Sequence, residues 1–350
     1  MIPGNNVLTV GPDYRFPNGG IAKLLETYST MFDRFRFVAT MRAPAVGKES
    51  KLRTFGRLVA ALASFHRHVL FSPVRIVHIH TASGITFFRE SIFLWLARLY
   101  GRKVVLHCHS GSLKEFYEAH PAYVGRCFRS AARVVVIARP WELYLRGRGH
   151  DNVVTIGNPI PRPAPFEKGE HRPLNLLFLG LLCDNKGIWD ILDVICRHRA
   201  ELGPHVRLLV GGNGEVERFR ARVEELGIAD LVTYCGWVDG ERKRRLLEQA
   251  DIYLQPSYRE ALGIAILEAM SYRTPVVATA TGGIPEIVRD GVNGLLVAPG
   301  DREALYRAIA GLAGSPERRR EMGDRGARIA RTYYPEAIRI RLEDLYQSLS

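Results

Sequence analysis

Short runs of apolar, often β-branched residues alternate along this chain with stretches whose apolar positions recur every three or four residues. In the first half the runs fall at 6–12, 34–40, 75–83, 103–111, 133–138 and 152–159. In the second half they fall at 174–180, 206–212, 232–236, 251–257, 275–283 and 294–300. Continuous Val, Ile and Leu ending in Gly, Ser or Asn predicts strands buried on both faces of a parallel sheet. Between the runs, Ile188, Ile191, Leu192 and Ile195, and later Leu305, Ile309 and Leu312, keep helical spacing. Asp301, and Ser315 before Pro316, predict helix N-caps. Strand–helix alternation carried through twice predicts an α/β protein of two doubly wound, Rossmann-like parallel-sheet domains.

Prolines at 161, 163, 165 and 173 break the pattern and predict a stiff linker over 161–173. The first domain is then 1–160 and the second 174–335. Residues 336–350, with Ile338, Leu342 and Leu345 on one stripe, predict a last helix that packs back on the first domain.

Composition sharpens this. A length of 350 residues suits two cores, and 47% apolar residues excludes a disordered chain. No apolar run approaches the ~18 residues of a bilayer span, and the start lacks an export-signal pattern. Cys108, Cys127, Cys183, Cys196 and Cys235 form no Cys-x-x-Cys pair, which fits a reducing, cytoplasmic setting. The net charge of +13 is lopsided: residues 1–165 hold 23 Lys and Arg against 9 Asp and Glu, residues 166–350 hold 26 against 27. The first half therefore faces an anionic partner or carries a solubilising basic surface. No nucleic-acid motif accompanies the charge, so nucleic acid is not expected. Residues 52–70 put Phe55, Leu58, Val59, Leu62 and Phe65 at helical spacing among Arg53, Arg57, His66, Arg67 and His68. That pattern suits a helix on an anionic membrane surface, and equally one packed on a sheet.

Ligands of doubly wound sheets bind outside the carboxyl ends of the strands, so those ends hold the candidate chemistry. Gly19 and Gly20 follow the first strand and can bring backbone N–H groups to a phosphate. His109 ends the fourth strand, with His107 one pleat deeper; His78 and His80 repeat the pattern one strand earlier and read as structural. Spacing marks no third metal ligand beside His107 and His109. Lys186 precedes a helix, the wrong sign for the helix dipole unless an anion lies beside it. Glu260 lies in a loop after the strand at 251–257, and Glu268 lies inside the following helix, so both can converge on one cleft. Thr281-Gly282-Gly283 ends the next strand in another phosphate-friendly loop.

The segment 258–301, YREALGIAILEAMSYRTPVVATATGGIPEIVRDGVNGLLVAPGD, closely resembles the donor-site segment of family 4 retaining glycosyltransferases of the GT-B fold. FLGLLCDNKGIWDIL (178–192), LVGGNGE (209–215), Asn158-Pro159, Gly19-Gly20 and HCHSGS (107–112) fall in that family's order. The resemblance is looser in the first half, where VHIHTAS and HCHSGS look like transferases that build bacterial surface polysaccharides. It implies two domains facing a cleft and a nucleotide-diphosphate sugar as donor substrate, with no further cofactor. It also implies a lipid-linked acceptor at the inner face of the membrane. Glu268 would hold the ribose, Glu260 the sugar hydroxyls and Lys186 the diphosphate; Gly19 and Gly20 would cover it, and His109 would contact sugar or phosphate. Leu262, Gly263 and Ile264 complete the implied donor site. In one respect the chain departs: Leu181 stands where the family has an arginine, so phosphate binding would lean on Lys186, Arg259 or an arginine of the basic half. No Asp-x-Asp is present, so a metal-independent reaction is expected. A nucleotide-sugar epimerase of the same shape and a noncatalytic nucleotide-sugar-binding protein are the alternatives. No Gly-x-Gly-x-x-Gly opens a first strand–helix unit, which argues against a dinucleotide dehydrogenase.

Overall fold

A computed structural model describes residues 1–16, 20–42 and 51–349. Two compact units emerge, Met1–Pro159 with Pro335–Ser350, and Ile160–Tyr334. Each holds one six-stranded sheet whose neighbouring strands all run parallel.

In the first unit the strands are β1 (Val7–Pro12), β2 (Arg36–Met41), β3 (Ile76–Thr81), β4 (Lys103–Cys108), β5 (Arg133–Val136) and β6 (Val153–Thr155), in the order β2-β1-β3-β4-β5-β6. Every residue of β3 is buried, as a strand covered on both faces requires. One face carries Val77, Ile79, Val104 and Leu106 into a core closed by Phe65, Phe87, Phe93 and Phe128. Fully burying side chains of this size stabilises by about 1.5–3 kcal/mol each. The opposite face carries His78 and His80, and across it lies the helix Pro335–Gln347, with Ile338, Leu342, Leu345 and Tyr346 buried.

The helix Lys51–Phe71 forms as its spacing predicts, but its apolar stripe is divided. Phe65 is fully buried, and Leu58 and Leu62 pack against the same core, so these three belong to the sheet-packing reading. Phe55 and Val59 stay exposed, together with Leu52.

The second unit contains β7 (Leu174–Leu179), β8 (Val206–Gly211), β9 (Val232–Gly236), β10 (Ile252–Gln255), β11 (Val276–Thr279) and β12 (Gly294–Val297), in the order β12-β11-β10-β7-β8-β9. Asp301 accepts from the Ala304 N–H at 2.8 Å, and the Ser315 hydroxyl accepts from Arg318 N–H, so both expected caps form. The proline-rich segment is docked on this unit: Lys168 Nζ donates to Thr274 Oγ1 at 2.8 Å, and Phe166 meets Tyr272 with ring centroids 5.0 Å apart. Among the described residues no helix is long and apolar enough to cross a membrane.

Candidate functional site

In the second sheet the strand order reverses between β7 and β10, and a doubly wound sheet opens a crevice outside the carboxyl ends of two such neighbours. The chain leaving β7 makes a tight turn over Asp184–Lys186 and enters the helix Ile188–Arg197 through Gly187. Gly187 has φ 70°, and a Cβ there would overlap the Pro256 carbonyl, so this turn presses on the segment that leaves β10. Tyr258 N–H donates to the Asn185 carbonyl at 2.9 Å across the same contact. The two loops thereby bring Lys186 Nζ to 2.6 Å from Glu260 Oε2. The Glu260 carboxylate is thus one anion beside the lysine at this helix start.

Glu260 is tightly positioned. Its Oε2 also accepts from Gln255 Nε2 at 2.6 Å, and its Oε1 accepts from the Ala261 N–H at 3.0 Å. Tyr253 Oη donates to Gln255 Oε1 at 2.9 Å, and both side chains are buried. From the other side Gly282, at φ 54°, lies so close that a Cβ would overlap the Glu260 carbonyl. The loop after β11 therefore braces the loop after β10.

Beyond Glu260 the chain passes buried Leu262 and turns at Gly263, φ 93°, into the helix Ile264–Ser271. Among the described residues no side chain caps this helix start, so its first N–H groups are open to an acceptor. Glu268 lies one turn further in, 12% exposed, and Lys243 Nζ stands 2.6 Å from its Oε1 and 2.5 Å from its Oε2.

Two residues that sequence reasoning missed, Gln255 and Lys243, thus hold the two glutamates it selected. Gln255 left a signal, a polar residue ending an apolar strand. Lys243 left none, being one of six charged residues in the ten-residue helix Gly240–Gln249.

Arg259 is exposed and lines a cavity of about 930 Å³ with Asp184, Asn185, Gly187 and Tyr258, which belong to the two loops that carry Lys186 and Glu260. Leu181, where an arginine was expected, is 48% exposed. Gly19 lies outside the described residues, and Gly20 opens the helix Gly20–Ser29 with free space about its Cα.

In the first unit the carboxyl ends of β3 and β4 carry four stacked imidazoles. His78 Nε2 meets His107 Nδ1 at 3.2 Å, His80 Nδ1 meets His109 Nε2 at 3.0 Å, and Tyr346 Oη lies 2.6 Å from His78 Nδ1. Burial pushes His78 and His109 down to about 3, and holds His80 and His107 well below the ordinary histidine value. All four are neutral at pH 7, so His109 can offer one N–H or one lone pair but no charge. Asn158 faces His109 and the Ile156 backbone faces His107, each opposing the effect of burial, whereas His80 Nε2 has no hydrogen-bond partner among the described residues. Nitrogens of His78, His80 and His107 lie within 4.8 Å of one another. Two of these rings already hydrogen-bond each other, and the group holds no carboxylate or thiolate to offset a dication.

Residues 164–329, nearly all of the second unit, match the family model of the glycosyl transferases group 1. The amylovoran biosynthesis glycosyltransferase AmsK of Erwinia amylovora is 26% identical over 314 residues, covering 85% of this chain and 74% of AmsK. The phosphatidyl-myo-inositol mannosyltransferase of Mycobacterium leprae is 26% identical over 291 residues, 79% of this chain and 74% of that protein. HepE of Anabaena, solved with UDP and glucose, superposes with a TM-score of 0.75 at 17% identity, covering 98% of this chain and 99% of HepE. The last likeness concerns the fold. With two six-stranded parallel sheets and a second unit matched to the group 1 model, the chain is a glycosyltransferase of the GT-B fold.

Proposed function

We propose that the enzyme is a family 4 transferase that moves a sugar from a nucleoside-diphosphate sugar to a hydroxyl acceptor, with retention of anomeric configuration and without a metal ion. The observation that carries this reading is the Lys186–Glu260 pair at the strand-order reversal, beside the uncapped start of the helix Ile264–Ser271. The acceptor oxygen bonds to the anomeric carbon while the bond from that carbon to the diphosphate oxygen breaks. The diphosphate leaves with the electron pair, and the acceptor's proton passes to a phosphate oxygen. Negative charge grows on the diphosphate throughout. A cation and open N–H groups aimed at that charge stabilise the transition state, each typically giving ~10²–10³ in rate. Glu260 orients sugar hydroxyls, Glu268 accepts from the ribose, and neutral His109 supplies a hydrogen bond rather than a charge.

The acceptor in this reading is a lipid-linked intermediate of polysaccharide biosynthesis, met at the cytoplasmic face of an anionic membrane. Two relatives named for amylovoran biosynthesis and for mannosylation of phosphatidyl-myo-inositol support it. So does the first unit, where Arg15, Arg42, Arg57, Arg67 and His68 line a cavity of about 460 Å³ with one acid, Asp13. Exposed Leu52, Phe55 and Val59 share the helix that carries Arg57 and Arg67.

The test is a panel of UDP-, GDP- and ADP-sugars. One of them should raise the thermal midpoint by mass action, and turnover with that donor should survive EDTA. No shift with any donor removes the donor reading, and loss of turnover in EDTA removes the metal-free one. Flotation with anionic vesicles that weakens as salt rises supports membrane docking; equal recovery with neutral lipid removes it.

A further inference from the structure

The helix Gly240–Gln249 carries cations that make two kinds of pair. Arg244 and Arg245 stay on their own helix, bonding Glu241 and Glu248 at the (i, i+3) and (i, i+4) spacings. Lys243 instead reaches Glu268, 25 positions along the chain, and bridges both of its oxygens. The backbone under Glu268 is immobilised, because Ile266, Leu267, Ala269 and Met270 are all fully buried. Only the rotatable bonds of the side chain remain free, and the ammonium fixes those. An ionised carboxylate can accept about four hydrogen bonds. One cation straddling both oxygens leaves acceptor capacity on each, a match for two neighbouring hydroxyls. The ammonium also offsets the cost of covering a carboxylate that is already only 12% exposed.

We infer that Lys243 is a positioning residue that holds Glu268 in the orientation which reads the vicinal hydroxyls of the donor's ribose, and that it thereby sets the preference for ribonucleotides over deoxyribonucleotides. The inference rests on the donor reading of Glu268. A lysine kept only for stability changes melting without changing which sugar of the nucleotide is preferred, so selectivity is the readout that separates the two roles.

The experiment is calorimetric binding to the full chain of UDP, GDP or ADP, whichever binds tightest, and of its 2′-deoxy and 2′,3′-dideoxy forms. Wild type should favour the ribonucleotide by roughly tenfold, the worth of a hydrogen bond to a charged acceptor. Lys243→Met should weaken the ribonucleotide about tenfold and leave the dideoxy form within about twofold, so that the preference collapses. Lys243→Arg keeps a cation on the carboxylate and should retain most of the preference. The double variant Lys243→Met with Glu268→Ala should bind no more weakly than Glu268→Ala alone. Equal weakening of ribo and deoxy forms, or additive losses in the double variant, overturns the inference while leaving the donor site standing. Failure of wild type to bind any of the three diphosphates overturns the donor reading first. Should Lys243→Met not fold, Lys243→Gln against Lys243→Arg gives the same comparison.

Discussion

The two units share one architecture and divide the electrostatics unequally. The second unit holds 25 Lys and Arg against 24 Asp and Glu, and its charges largely find one another: Arg222 with Asp193, Arg302 with Asp190 and Asp193, Lys186 with Glu260, Lys243 with Glu268. The first unit holds 24 against 12. There Arg34, Arg36 and Arg67 crowd His68, and they add to burial in lowering its proton affinity. At the strand ends the contrast repeats. The second sheet presents the Lys186–Glu260 pair, whereas the first presents a neutral imidazole stack. What differs is whether opposite charges or like, deprotonated rings are brought together.

The sharpest way to break this contrast is to remove the cation at the crevice. Lys186→Ala should lower kcat by about two to three orders of magnitude with a smaller change in KM, since the interaction strengthens as charge develops. Steady-state kinetics with an identified donor and acceptor decide it, and a variant within about threefold of wild type would move the charge stabilisation elsewhere. Next comes the bracing of Glu260. Gly282→Ala forces a side chain into a left-handed backbone conformation against the Glu260 carbonyl, a strain of about 1–3 kcal/mol. Thermal melts should register that loss, and donor affinity should fall with it.

Acid should separate the two units. Above pH ~6.5 the imidazoles are neutral whether folded or unfolded, and they add no pH dependence. Below it the unfolded chain takes up protons that folded His78 and His109 refuse until about pH 3. First-unit stability therefore falls across that window, by roughly 1.4 kcal/mol per pH unit for each such imidazole. Denaturant melts at pH 7 and pH 5, followed by amide exchange in each unit, should show the first unit weakening more. A uniform loss would mean the stack does not set the acid limit. The smallest effect belongs to the paired surface of the second unit. Arg199 and Asp230 are both exposed, so Arg199→Ala should leave the melting temperature within error of wild type.

The inner strands were legible because a strand buried on both faces has nothing to alternate with, and each of the twelve apolar runs overlaps one strand of the two sheets. The caps at Asp301 and Ser315 were legible for a similarly local reason, the side chain bonding within its own first turn. The stripe over 52–70 was legible as a helix but not as to its use. Spacing puts Phe55 and Phe65 in one pattern, whereas the structure buries Phe65 and leaves Phe55 exposed. Arg259, read as a spare phosphate ligand, lines a cavity with Asn185, Gly187 and Tyr258, a grouping of two loops that linear spacing does not show.

The sequence by itself determined the alternation of strands and helices, the helix caps and the selection of Lys186, Glu260 and Glu268, since each depends on residue type and short-range spacing. Only the tertiary structure decided what those residues touch. Lys186 and Glu260 are 74 positions apart, and Lys243 and Glu268 are 25 apart on separate helices. The first pairing follows from strand order and from glycines that let the two loops close in. An ion pair is a relation between two places in space, and a linear sequence holds each partner without the distance between them.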